Sequence, residues 1–146
     1  MIKSLELLRI VEWLNRMKIE NYTINDDLSV DVDGNVDISG KGLTEIPVQF
    51  NKVSGGFSCS YNQLTSLVGC PTKVGGGFYC HSNKLTSLKG APTRVGGSFS
   101  CEDNQLTSLK GCPTRVGMWF SCSCNKVDFS EEDVKKVCKV GEDIYV

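Results

Sequence analysis

Phe57 to Pro71 reads FSCSYNQLTSLVGCP, and it returns as FYCHSNKLTSLKGAP from Phe78 and as FSCEDNQLTSLKGCP from Phe99. Asn62, Asn83, Asn104 and Asn125 recur every 21 residues, as do Phe57, Phe78, Phe99 and Phe120, and Cys59, Cys80, Cys101 and Cys122. Leu64, Leu85 and Leu106 share the period, followed by Leu67, Leu88 and Leu109, then Pro71, Pro92 and Pro113. One period earlier, Val32, Val36, Ile38, Leu43, Ile46 and Val53 fit the apolar columns, while Lys41 stands at the asparagine position. About five coils therefore fill residues 32–127, the first worn and the last cut short.

Stacked coils explain the recurring residues. A short strand such as Gly56 to Ser60 lies beside its copy at about 4.8 Å, which predicts one parallel β-sheet. Phe and Cys alternate inward against leucines returning from the opposite wall, so a single coil cannot bury its own apolar face. Each Asn can bond the turn backbone through both ends of its amide. Gly75-Gly76-Gly77 and Gly96-Gly97 suit a sharp corner. A phosphate-binding loop is excluded there, because no Gly-Lys-Ser/Thr and no helix follow. The period leaves no room for a full helix, so LTSLKGCPTRV is expected to be extended or turn-like, with Pro fixing φ.

The flanks read as caps. Ile2 to Ile19 form an amphipathic helix with Leu7, Val11, Leu14 and Met17 near one face, widened by Leu8, Ile10 and Trp13. Two-residue alternation from Tyr22 to Val36 predicts a strand, with Leu28, Val30 and Val32 facing one way and turns at Asn25-Asp26-Asp27 and Asp33-Gly34-Asn35. Those aspartates do not make a calcium loop, which needs a closing Glu. Ser130-Glu131-Glu132-Asp133 resembles a capping box and predicts a helix to about Lys139, ended by Gly141, with Val134, Val137 and Cys138 closing the last coil. The organisation is a cap at 1–31, a solenoid at 32–127 and a cap at 128–146, within one domain.

The F-x-C-x-x-N-x-L-x-x-L element resembles the core of the leucine-rich repeat, with Phe and Cys in the first two leucine positions. The short period with Pro is similar to the roughly twenty-residue repeats of secreted bacterial effectors. NQLTSLKGCPTRVGG is closer still to small repeat proteins encoded in tailed-phage and prophage genomes. This resemblance, over about Asp31 to Val127, implies an α+β, leucine-rich-repeat-like solenoid. It also implies a phage product working in the host cytoplasm on a bacterial protein, as in host takeover or counter-defence.

The formal net charge is −1, which excludes a globally basic nucleic-acid binder. The charge is nonetheless uneven: residues 53–127 carry seven Lys/Arg against two Asp/Glu, between acidic ends. Charges interleave the first twenty residues, so neither a membrane span nor a signal peptide is expected. Six of the eight cysteines are locked to the repeat, which reads as buried apolar thiols in a reducing, cytoplasmic compartment. Stacked thiols point the same way rather than at each other, so neither disulfides nor a metal site is expected, and no cofactor.

Function is sought where coils depart from their consensus. One outward column is Asp37, Ser58, Tyr79, Ser100, Ser121; the next is Ser39, Ser60, His81, Glu102, Ser123. Trp119 replaces glycine or serine, and Tyr61 and Asp103 lie at strand exits. Tyr61, Tyr79, His81, Glu102, Asp103 and Trp119 are therefore the expected partner-binding residues of a non-enzymatic protein-binding module. Lys52, Lys73, Arg94 and Arg115, one period apart, form a second, basic column able to take an anionic ligand. The alternatives are capture of a nucleotide-like signal and, as lesser readings, nucleic-acid binding or a hydrolase using Ser60, His81 and Glu102.

Overall fold

The structure is a computed structural model that describes residues 2–146. The chain winds as a β-solenoid in which each turn gives one strand to each of two sheets. Val36–Asp37, Phe57–Ser58, Phe78–Tyr79, Phe99–Ser100, Phe120–Ser121 and Ile144–Tyr145 pair in parallel as a six-stranded sheet. Val30–Val32, Phe50–Val53, Lys73–Val74, Arg94–Val95, Arg115–Val116 and Lys139–Val140 pair in parallel within a second, seven-stranded sheet. Its outermost member, Tyr22–Ile24, runs antiparallel to Val30–Val32.

The second sheet departs from the single sheet expected. Its strands Lys73–Val74, Arg94–Val95 and Arg115–Val116 are two-residue pieces between Pro and Gly, too short to show alternation, and stacking creates them. Once Phe57 and Phe78 are in register, the remainder of the coil comes within hydrogen-bond reach of its copy. Thr93 N–H thus donates to Thr72 O, Gly96 N–H to Val74 O and Gly97 N–H to Gly76 O, each at 2.9 Å.

Phenylalanines form the spine of the core. Phe57, Phe78 and Phe99 stack nearly parallel, with centroids 5.5 and 5.8 Å apart. The column runs on to Phe120 at one end and to Phe50 and Trp13 at the other. The asparagines form a second continuous column. Asn83 Oδ1 accepts Leu64 N–H at 3.0 Å, and its Nδ2 donates to Cys59 O and Cys80 O. Asn62 shares Cys59 O and Asn104 shares Cys80 O, so the amides link coil to coil.

The residue before each asparagine turns the chain off the six-stranded sheet in the left-handed region. It is Tyr61, Ser82, Asp103 and Cys124 at φ 53 to 57°, and in the first coil Gly40 (φ 63°), which precedes Lys41 at the asparagine position.

Both caps differ in extent from expectation. The N-terminal helix, Ile2–Arg16, buries Ile10, Trp13 and Leu14, whereas Leu7 and Leu8 are exposed. Fifteen residues span about 22 Å, so its first turns overhang the coil it covers. Lys18 at φ 59° ends it, with Ile19 N–H returning to Leu14 O. The strand foreseen over Tyr22 to Val36 is instead a hairpin followed by the first strand of the six-stranded sheet, with Leu28 in a turn at φ 69°.

The C-terminal helix is only Glu131–Lys135. Its capping box forms, Ser130 Oγ receiving Asp133 N–H while Asp133 receives Ser130 N–H. Lys139 to Tyr145 then complete a sixth turn rather than extending the helix, pairing with Arg115–Val116 and Phe120–Ser121.

Candidate functional site

Outward residues of the six-stranded sheet carry the aromatic departures from the repeat, Tyr79 and Trp119, together with His81 and Glu102. Strand register places Ser58, Tyr79, Ser100, Ser121 and Tyr145 side by side. Across this face runs a continuous aromatic track. Tyr61 meets His81 edge-on at 5.2 Å, His81 meets Tyr79 at 6.4 Å, Tyr79 meets Trp119 at 6.2 Å, and Trp119 meets Tyr145 at 6.1 Å.

Local sequence makes room for it. A Cβ on Gly77 would collide with the Tyr79 ring and hydroxyl, so the third glycine of Gly75-Gly76-Gly77 lets Tyr79 lie down along the sheet. Between Tyr79 and Trp119 lie Ser98 and Ser100, both buried although their columns face outward. The large neighbours on either side close over them. Ser98 Oγ accepts Trp119 N–H at 3.3 Å. Ser100 Oγ is the one buried side-chain polar atom among the described residues without a hydrogen-bond partner.

Polar groups flank the track. Ser60 Oγ lies 3.1 Å from His81 Nδ1. Glu102 Oε2 accepts from Ser121 Oγ at 2.9 Å and from Ser123 Oγ at 3.5 Å, turning toward the neighbouring coil rather than toward His81. The serine–histidine–glutamate column thus forms a pair and a separate cluster, and Ser60 is only 2% exposed. Asp103 stands at the rim, where it accepts from Ser82 Oγ at 2.9 Å.

Tyr145 is the member of the track that sequence reasoning missed. KVGEDIYV repeats the RVGMWFSC pattern, with Val140-Gly141 matching Val116-Gly117; the match is masked by a spacing of 24 residues between Arg115 and Lys139. Lys139 likewise extends the basic column Lys52, Lys73, Arg94, Arg115, which lies on the outer face of the other sheet.

The cysteine column is core. Cys59, Cys80, Cys101 and Cys122 are buried, and Cys80 Sγ donates to Ser100 O. Burial pushes the thiols of Cys80 and Cys101 well up, that of Cys112 to about 12 and those of Cys122 and Cys138 to about 11. Only exposed Cys124 should react promptly with Ellman's reagent at about pH 8 in the native protein, the rest following on unfolding. Prompt reaction of several thiols would contradict this packing.

Comparison with protein-family models, with curated protein sequences and with solved structures finds no match to this chain. Among the described residues no helix is long and apolar enough to cross a membrane.

Proposed function

We propose that this protein is a non-enzymatic recognition module that binds another protein through the outer face of its six-stranded sheet. The observation that carries this reading is the unbroken track Tyr61, His81, Tyr79, Trp119 and Tyr145, built from residues that depart from an otherwise strict repeat. Tyrosine and tryptophan supply large contact area with few rotatable bonds, and they dominate the energetics of protein interfaces. Here the rings brace one another on a stacked sheet, so little ordering remains to be done on binding. The Glu102 carboxylate beside the track offers a partner an acceptor.

A broad face suits a protein better than a small ligand, which prefers a concave site. The hollows of about 570, 560 and 460 Å³ on the surface are lined by other residues. Hydrolysis is disfavoured by the burial of Ser60 and the direction of Glu102. The resemblance to phage-encoded repeat proteins leads us to propose a bacterial host protein as partner, bound in the cytoplasm and inhibited or recruited.

The test is affinity capture from bacterial lysate with wild-type protein, with Tyr79→Ala/Trp119→Ala, and with Thr86→Ala, an exposed position away from the track. Wild type and the Thr86 variant should enrich the same protein, and the double variant should bind it at least about 30-fold more weakly. Equal capture by all three, or stabilisation by a nucleotide with no protein enriched, would overturn the reading.

A further inference from the structure

We propose that the outer face of the seven-stranded sheet binds a nucleic-acid strand by its phosphate backbone, independently of the aromatic face. Lys52, Lys73, Arg94, Arg115 and Lys139 are lateral neighbours in a single parallel register. The row extends over about 19 Å, four intervals at the strand spacing. All five side chains are exposed, and none forms an ion pair among the described residues.

Like charges directly opposite one another destabilise a sheet, and coil stacking needs only the valine that follows each cation. The cation nonetheless persists through five turns, whereas charge is not kept at the other exposed positions where it occurs, as in Val68, Lys89 and Lys110 or Gln63, Lys84 and Gln105.

A trough runs beside the row. Gly75, Gly96, Gly117 and Gly141 pack so closely on the preceding coil that a Cβ would strike the carbonyl oxygen of Ser54, Gly75, Gly96 or Gly117. The result is a floor without side chains beneath a basic wall, part of a hollow of about 560 Å³ that Lys52, Lys73 and Arg94 line. Asp31 and Asp33 close its N-terminal end, and Asp31 is occupied by Asn51 Nδ2 and Lys52 N–H.

This wall and floor offer no aromatic anchor of the kind protein interfaces use. Affinity must come from charge alone, and a phosphodiester strand is the ligand for which charge alone suffices, without regard to sequence. A strand laid along the row sets about three or four phosphates against it.

The probe is a fluorescent oligothymidylate of about 12 nucleotides, read by anisotropy. Three or four phosphate contacts weaken affinity roughly 20- to 50-fold between about 50 and 200 mM monovalent salt. Arg94→Glu/Arg115→Glu should weaken binding at least about tenfold without lowering the melting midpoint, while Tyr79→Ala/Trp119→Ala binds as wild type does. A flat salt response, undiminished binding by the charge-reversed variant, or displacement by polyglutamate as effective as by unlabelled oligonucleotide would overturn the proposal. The last outcome would point to an acidic protein instead.

Discussion

Phe78→Ala is expected to lower the free energy of unfolding by about 4 kcal/mol, the range found when a buried aromatic ring is truncated to Ala. Phe78 is fully buried and stacked between Phe57 and Phe99 at 5.5 and 5.8 Å. Its removal empties a site whose walls are held by hydrogen-bonded strands on both sides, so the gap cannot collapse. In a stacked array each coil is stabilised mainly by its two neighbours, and this substitution weakens both interfaces at once. Against a typical total of about 5 to 15 kcal/mol, that loss leaves a small margin. Urea unfolding measures it, with Tyr79→Ala as the outward-facing neighbour expected to cost less than about 1 kcal/mol. Similar midpoints for the two variants would mean that the phenylalanine column does not support the fold.

Asn83→Ala should cost about 2 to 3 kcal/mol, although it removes no apolar contact. Asn83 Oδ1 is the partner of Leu64 N–H, which sits in a buried turn. The carbonyls of Cys59 and Cys80 keep one amide each, from Asn62 and Asn104, so the orphaned group is the Leu64 donor. Asn83→Asp restores an acceptor for Leu64 but sets a carboxylate against the two carbonyls, and it should rescue little of the loss. Unchanged urea midpoints in both variants would show that the asparagine column is not what joins the turns.

Much of this architecture was legible because the period is strict. Phe57, Cys59 and Asn62 announce their columns by returning three times, Leu64 and Leu67 by returning twice, and a repeated residue tells its own direction. The second sheet was not legible, because Lys73-Val74 and Arg94-Val95 carry no alternation of their own and become strands only when coils stack. The sixth turn was hidden by the five-residue helix Glu131–Lys135, which breaks the period before Lys139 and so concealed Tyr145. The overhang of the N-terminal helix depends on the width of the coil beneath it, which amphipathic spacing does not record.

The candidate site divides in the same way. Departures from the repeat marked Tyr61, Tyr79, His81 and Trp119, and the register brings them into one track. Side-chain direction decided the rest. Glu102 shares a column with Ser60 and His81, yet its carboxylate turns to Ser121 and Ser123, a choice of rotamer that no spacing encodes. Gly77 looked like a corner residue and proves to be the space that Tyr79 occupies.

Photo-crosslinking from single positions tests the recognition face most directly. A benzophenone side chain placed at Tyr61, which is 64% exposed, is compared with one placed at Thr86, away from the track, both in cells and in lysate. Recognition through the aromatic track predicts one discrete adduct from position 61, lost when Tyr79→Ala/Trp119→Ala is added, and none from position 86. The same adduct from both positions, or one that survives the double substitution, would contradict it.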